Sequence, residues 1–357
     1  MLLTALSVAL SSAQAVGPNV LFVGNSYTQF NDPAALNQSY AAMVAEGMPS
    51  WEVETQRYSR GGQTLPMHLE QATTEGTQLF NALVTDGGVA WDLVVLQDQS
   101  QIPGFPRDHD QYTASLDASV ALAEIIETAG AETRLFMTWG RKDGDSGNPD
   151  YYPDFLTMQA LLTDGYESYA AAIRAAGHTV EIVPVGLAFQ AVYESHVTAG
   201  VDPVDGTLFA RLYSSDGSHP SPTGTYLSAL VFYTAFTGQS PVGLTWAPDR
   251  VTPEDRSQLQ LIVETLMADS IGTEDPEPDD EDSGTVEDTD EGSDTVTDAD
   301  ENTNSTGEDE SAEASPDEKG EDKSTGCSHS AAFGSAGILM FAVAISVMYR
   351  RETSLPH

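Results

Sequence analysis

The chain has 357 residues and a formal net charge of −41, with 55 acidic residues against 14 lysines and arginines. No basic patch interrupts this acidity, so we expect no nucleic-acid partner. Its one cysteine, Cys327, excludes an internal disulfide and a zinc site built on several cysteines.

Both ends of the chain predict export. Residues 1–15 hold an apolar run and then Ala13-Gln14-Ala15, the small-x-small pattern of a signal-peptidase site. The alternative is a buried N-terminal strand or helix. Residues 331–349 carry no charge and precede Arg350-Arg351, which predicts a membrane helix with the arginines in the cytoplasm. The body of the protein would then lie outside, at the cell surface or anchored to the membrane.

The rest of the chain divides by composition. Residues 273–326 hold 23 acidic residues, two lysines and no aromatic residue, so they predict a disordered acidic stalk. Residues 16–272 suit one large domain. Residues 327–351 are the predicted anchor or sorting tail, and 352–357 a short cytoplasmic end.

Within the body, strand and helix patterns alternate five times. Strands are predicted at 20–23, 51–58, 91–96, 134–138 and 179–185. Helices are predicted from a start signal at Asn31-Asp32-Pro33 to about 46, and at 65–84, 111–129, 154–176, 187–197, 223–236 and 253–268. This alternation predicts an α/β fold: a three-layer α/β/α sandwich on a five-stranded parallel sheet of flavodoxin-like order 2-1-3-4-5.

The first strand delivers a candidate nucleophile. The apolar run 20–23 stops at Gly24, and Ser26 follows just beyond the carboxyl end of the strand. In open α/β sheets, ligands bind outside these strand ends. A serine that only caps a helix or sits in a loop is the alternative.

Candidate partners for the serine come late in the body. In Asp216-Gly217-Ser218-His219-Pro220, the histidine can act as a base and the aspartate can orient it. The alternative is ordinary turn chemistry before a helix. The other body histidines lack this pattern and are predicted to be structural: His68, His109, His178 and His196. No H-E-x-x-H motif or histidine cluster occurs, so we predict no metal site and no cofactor.

Three motifs together resemble blocks I, II and V of the SGNH (GDSL-type) hydrolases. They are Gly24-Asn25-Ser26-Tyr27-Thr28, the loop 59–64 containing Gly62, and Asp216 to Pro220. Many family members have Asp where this chain has Asn25. The resemblance implies ester hydrolysis with Ser26 as nucleophile, His219 as general base and Asp216 as its orienting residue. It also implies an oxyanion hole formed by the backbone N–H groups of Ser26 and Gly62 and a side-chain amide from block III.

Block III departs from the family pattern. The family has G-x-N-D after the third strand, and this chain has Gln97-Asp98-Gln99-Ser100. Gln99 aligns with the asparagine and is the expected third oxyanion donor, with Gln97 as the alternative. The departure favours a second reading, in which the protein is a non-catalytic surface binding module on the same fold.

The sequence therefore predicts a secreted, surface-tethered serine esterase. Its expected substrates are small acyl esters, including O-acetyl groups on carbohydrate. Lipase-type or thioesterase-type activity is a further alternative within the same reaction class.

The C-terminus has a resemblance of its own. Gly326-Cys327, the apolar span and Arg350-Arg351 resemble the tripartite surface-sorting tails of myxobacteria. The resemblance implies cleavage near Gly326 and Cys327 by a sorting protease in the membrane, and a plain membrane anchor is the alternative.

Overall fold

The computed structural model of the chain describes residues 17–84 and 88–271. The predicted signal peptide, stalk, anchor, cytoplasmic end and processing site at Gly326 and Cys327 lie outside these residues and stay predictions. Among the helices of the described residues, none is both long and apolar enough to cross a membrane.

The body is organised around one parallel sheet. Its strands are β1 (Val20–Gly24), β2 (Thr55–Ser59), β3 (Leu93–Leu96), β4 (Glu132–Phe136) and β5 (Val180–Val183). Every pairing is parallel, and the spatial order is β2-β1-β3-β4-β5. The predicted fold class and strand order are thus confirmed.

Helices cover both faces of the sheet because alternate strand residues point to opposite faces. In β1, Val20 and Phe22 enter one apolar core, while Leu21 and Val23 enter the other. The first core is completed by α2, α7, α9 and α10, and the second by α3 to α6. The described helices are α1 (Ser26–Gln29), α2 (Leu36–Gly47), α3 (Leu65–Thr73), α4 (Gln78–Val84), α5 (Asp110–Thr128), α6 (Phe155–Ala175), α7 (Val185–Thr198), α8 (Leu208–Arg211), α9 (Pro222–Thr237) and α10 (Pro253–Leu266), with 3-10 turns at Ile102–Gly104 and Ala268–Ser270.

Several predicted boundaries are wrong. The start signal at 31–33 does not begin a helix, since α2 begins at Leu36; the residue before a proline is disfavoured in helical geometry. The single helix predicted over 65–84 is two helices, separated by a turn in which Gly76 has φ +84°. The second strand begins at Thr55 rather than at 51.

Candidate active site

Ser26 lies just beyond the carboxyl end of β1, as predicted, and is the first residue of α1. A Cβ atom at Gly24 would lie 2.3 Å from Thr28 Oγ1 and 2.7 Å from Gln97 Oε1. Both distances are too short for a side chain. Glycine is therefore required where the strand turns beneath the serine.

Ser26, His219 and Asp216 form one hydrogen-bonded chain. His219 Nε2 lies 2.9 Å from Ser26 Oγ, and His219 Nδ1 lies 2.6 Å from Asp216 Oδ2. The other carboxylate oxygen of Asp216 accepts the backbone N–H groups of Ser218 and His219, each at 2.9 Å. Burial alone would raise the pKa of Asp216, but these hydrogen bonds, that from His219 above all, hold it below its ordinary value.

Aromatic rings fix the position of the imidazole. Phe30 stacks on His219 with ring centroids 4.7 Å apart, and Tyr27 meets it edge-on at 5.6 Å. The Tyr27 hydroxyl shares a hydrogen bond of 2.7 Å with Ser218 Oγ, while its ring stacks on Trp139 at 4.6 Å. Trp139 Nε1 donates to the carbonyl of Ser218 at 3.1 Å. The histidine loop is thus held by side chains from the ends of β1 and β4.

Gly62 lies on the loop that follows β2. The register pairs Gly24 with Ser59, so the loops after β1 and β2 begin side by side. Gly62 has φ +72°, and an added Cβ would meet no atom within 4 Å, so its surroundings are open. Within the described part of the chain, the N–H groups of Ser26 and Gly62 donate to no acceptor. Both amides are available to a ligand.

The two glutamines after β3 lie in different surroundings. Gln97 is fully buried, and its Oε1 accepts from Asn25 N and Thr28 Oγ1, both at 2.9 Å. The amide of Gln99 faces Gln101. Gln99 Oε1 accepts the backbone N–H of Gln101 at 2.9 Å, and Gln99 Nε2 donates to Gln101 Oε1 at 3.1 Å. Among the described residues, no hydrogen bond joins Gln99 to Ser26 or Gly62.

Asn25 bridges the three loops that surround the serine. Its Nδ2 donates to the carbonyl of Gln63 at 3.0 Å and to that of Asp98 at 3.2 Å. Its Oδ1 accepts from the backbone of Tyr27 at 3.1 Å and so caps α1. The side chain is only 2% exposed. Both amide hydrogens are occupied by loop carbonyls, so an aspartate could not replace this residue without losing both bonds.

Asp98 is a second buried bridge. It is 0% exposed, and its Oδ1 accepts the backbone N–H groups of Leu65 at 3.0 Å and Gln99 at 2.8 Å. Tyr169 Oη donates to Oδ2 at 3.2 Å. Burial raises the pKa of Asp98 to about 6, although these donors favour the charged form.

The loop 140–153, which follows β4, packs against the histidine loop. The backbone N–H of Lys142 donates to the carbonyl of Gly217 at 2.8 Å. Tyr213 Oη donates to the carbonyl of Gly140 at 2.7 Å. Farther along, Arg141 pairs with the buried carboxylate of Asp145. These hydrogen bonds attach the loop 140–153 to the segment that carries His219.

The other histidines make separate contacts. His109 caps α5 through Gln111 N, and His178 contacts Glu127. His68 is fully buried on α3, and burial lowers its pKa to about 4. In the described part of the chain, no group of three or more His, Cys, Asp or Glu side chains is arranged to hold a metal ion.

The structure brings Ser26, His219 and Asp216 together in one hydrogen-bonded chain. Sequence reasoning missed the residues that support them. Phe30 gave no signal, because nothing in a sequence tells which ring will cover an imidazole. Asn25 could have been found: it replaces the aspartate common in the resembled family, and such a change points to a different set of partners.

No protein-family model matches the sequence, and no curated protein sequence matches it either. Solved structures do resemble it. A DUF4886 family protein from Bacteroides uniformis superposes with a TM-score of 0.56 at 18% identity, over 71% of this chain and 95% of that one. At such identity the likeness establishes the fold and leaves the reaction open.

Two further structures are similar at lower scores. A candidate SGNH hydrolase from Slackia heliotrinireducens has a TM-score of 0.44 and 26% identity, over 61% of this chain and 97% of that one. The psychrotrophic esterase EstA from a Pseudoalteromonas species has a TM-score of 0.42 and 13% identity, over 62% and 97%.

Proposed function

We propose that the protein is a serine esterase in which Ser26 is the nucleophile, His219 the general base and Asp216 the residue that orients the base. The observation that carries this proposal is the hydrogen-bonded chain Ser26 Oγ, His219 Nε2, His219 Nδ1 and Asp216 Oδ2, at 2.9 Å and 2.6 Å. A nucleophile, its base and an orienting acid within hydrogen-bond reach are the requirements of acyl transfer.

The reaction follows from this geometry. As Ser26 Oγ attacks the ester carbonyl, His219 Nε2 takes its proton, and Asp216 holds Nδ1–H and stabilises the resulting imidazolium. The proton then passes to the departing alcohol, leaving an acyl group on Ser26. Water attacks that acyl group with His219 again as base, releasing the acid and restoring the serine.

The N–H groups of Ser26 and Gly62 form the oxyanion hole in this proposal. Support comes from their lack of protein acceptors and from the open space beside Gly62. Gln99 remains the proposed third donor. To serve, its Nε2 would have to exchange its contact with Gln101 Oε1 for the oxyanion.

We assign small acyl esters as substrates, including acetyl groups on carbohydrate, on the strength of the sequence resemblance. A series of p-nitrophenyl esters from acetate to palmitate separates this assignment from lipase-type activity, and an acyl-CoA series separates it from thioesterase activity. A preference for the longest chains would contradict the small-acyl assignment.

We also propose export and surface tethering, which rest on the sequence of residues 1–15 and 273–351. Mass spectrometry of the mature N-terminus and cell fractionation test them. An intact Met1 on the mature protein would contradict signal-peptide cleavage, and a change in fractionation on Cys327→Ala would support processing near that residue.

The second candidate is a non-catalytic binding module. The observation that favours it is the closed contact between Gln99 and Gln101, where the resembled family supplies an asparagine to the oxyanion. Turnover of p-nitrophenyl acetate distinguishes the two, because a binding module leaves the ester intact.

The decisive experiment combines turnover with labelling. Wild type should hydrolyse p-nitrophenyl acetate and take up one fluorophosphonate on Ser26, located by mass spectrometry. Ser26→Ala should lose both properties with an unchanged circular dichroism spectrum. Ser195→Ala is the matched control: its hydroxyl donates to the carbonyl of Val192 on α7, so turnover should persist. Wild-type turnover in Ser26→Ala would refute the triad.

A further inference from the structure

The three loops that carry the proposed catalytic groups follow three neighbouring strands. Ser26 follows β1, Gly62 follows β2 and Gln99 follows β3. Loops of this kind tolerate movement unless something ties them together, and oxyanion donors must be held to within a fraction of an ångström.

One carboxylate oxygen ties two of these loops together. Asp98 Oδ1 accepts from Leu65 N, which starts α3 immediately after the Gly62 loop, and from Gln99 N in its own loop. A fully buried carboxylate that accepts backbone N–H groups is a strong, charge-assisted acceptor.

The third loop joins through the backbone of the same residue. The carbonyl of Asp98 accepts Asn25 Nδ2, directly beside Ser26, and the second hydrogen of that amide reaches the carbonyl of Gln63. Side chain and backbone of Asp98 therefore contact all three loops. On the other side, Tyr169 of α6 holds Oδ2 and so fixes the rotamer of the carboxylate.

We propose that Asp98 is a positioning residue for catalysis, which sets the spacing between Ser26 and the amide donors of the other two loops. The inference rests on the proposed esterase function. Asp98 is buried and touches no substrate, so its effect reaches the reaction through the loops that it joins. Its loss should lower kcat more than it changes KM, because misplaced oxyanion donors fail mainly in the transition state.

Two substitutions distinguish the hydrogen bonds that Asp98 accepts from the effect of its negative charge. Asp98→Asn keeps an oxygen for Leu65 N and Gln99 N, and its new amide can donate to Tyr169 Oη. Asp98→Ala leaves both backbone amides without an acceptor. Gln260→Ala is the control for a buried polar loss elsewhere, since Gln260 is 4% exposed and donates to Tyr226 Oη and the carbonyl of Leu244.

The experiment measures kcat and KM for p-nitrophenyl acetate, urea unfolding and hydrogen exchange at the amides of Leu65 and Gln99. In Asp98→Ala, kcat should fall about 10- to 100-fold with KM within about threefold, and both amides should exchange faster. Asp98→Asn should keep kcat within about threefold and both amides protected. Gln260→Ala should lose stability with kcat unchanged.

Each outcome decides the proposal. A folded Asp98→Ala with kcat within about twofold of wild type overturns it, as does a folded Asp98→Asn that loses kcat or amide protection. If Asp98→Ala does not fold, Asp98→Asn still decides by these criteria. If wild type itself shows no turnover, the esterase function fails, and hydrogen exchange in Asp98→Ala still reports whether Asp98 holds the loops.

Discussion

The two halves of the candidate active site are held in place by different forces. The nucleophile half, made of the loops after β1, β2 and β3, is fixed from beneath by polar side chains that are almost fully buried, such as Asn25 and Asp98. The histidine half, residues 213–220, is partly exposed: the side chains of His219 and Asp216 are 30% and 48% accessible. It is held by a tight turn and by rings that pack on the imidazole.

Stability and activity should be coupled in the nucleophile half and separable in the histidine half. A buried polar group that loses its partner carries the full cost of desolvation. Substitutions in the nucleophile half should therefore lower the unfolding free energy of the whole domain. Polar groups in a partly exposed turn can bond to water instead. Substitutions in the histidine half should therefore change activity with little effect on the unfolding free energy. Four predictions test this contrast, in decreasing order of the change in kcat or stability that we expect.

The largest effect should come from Asp216→Asn. An amide cannot hold His219 in the tautomer that leaves Nε2 free to accept a proton, and kcat should fall by about 10⁴. Urea unfolding should change little because the side chain is half exposed. Asp205→Asn, in the exposed loop before α8, is the control for charge. If Asp216→Asn unfolds the protein, the contrast between the halves is wrong.

The second prediction concerns pH and two buried groups, Asp98 in the nucleophile half and His68 on α3, the helix that follows the loop after β2. Burial lowers the pKa of His68 from 6.5 to about 4 and raises that of Asp98 from 3.8 to about 6. As the pH falls through this range, His68 takes up its proton first in the unfolded chain, so its contribution lowers the unfolding free energy of the protein. Asp98 takes up its proton first in the folded chain, so its contribution raises the unfolding free energy. Each contribution is about 3 kcal/mol, and the two oppose one another.

Because the two contributions cancel in wild type, replacing either residue should reveal the pH dependence of stability that the other one causes. When the pH is lowered from about 7 to about 4, the unfolding free energy of His68→Leu should rise by about 3 kcal/mol relative to wild type. That of Asp98→Asn should fall by about as much. Urea unfolding at several pH values in this range measures both changes. Parallel profiles for the two variants and wild type would contradict the prediction.

The third prediction is Asn25→Asp, which introduces the residue common in the resembled family. The carboxylate would face the carbonyls of Gln63 and Asp98 with no hydrogen to donate. The unfolding free energy should fall by about 2 kcal/mol, and kcat should fall with it. Gln258→Glu, on the exposed side of α10, is the control for added charge. Unchanged stability would show that the bridge through Asn25 is unimportant.

The smallest effect should come from Tyr27→Phe. The ring keeps its stacking on Trp139, while the hydrogen bond between the hydroxyl and Ser218 Oγ is lost. Because Ser218 precedes His219, we expect a fall of a few-fold in kcat and about 1 kcal/mol in stability. Steady-state kinetics and thermal unfolding measure the two. A loss as large as that of Asp216→Asn would give Tyr27 a role in the chemistry itself.

The fold could be predicted from the sequence because its signals are local. The apolar run at β1 and the alternation of strands with helices suffice for a parallel sheet and its order. The proximity of Asp216 and His219 is also local, since both lie on one short loop. The position of Ser26 follows from the rule that ligands bind at strand ends.

The support of the site could not be predicted because it depends on partners distant in the chain. Asp98 meets Leu65 and Tyr169 only after three elements have packed, and no pattern of hydrophobicity marks a carboxylate that will be buried. The orientation of Gln99 depends on Gln101 in the same turn, and sequence alignment to an asparagine carries no such detail. The break at Gly76 was missed because the apolar positions before it, such as Leu65, Leu69 and Ala72, resume in helical phase at Leu79 and Leu83, although residues 73–78 are all polar or glycine.

The hydrogen bond between His219 and Ser26 joins positions 193 residues apart. A chain still emerging from the ribosome therefore contains Ser26 long before it contains His219. Under the proposed mechanism, a fragment that ends before His219 would be inactive, and cleavage between the two residues would abolish activity unless both pieces stayed associated. Turnover of an ester would then report that the chain is complete, and two complementary fragments would regain it only on reassembly.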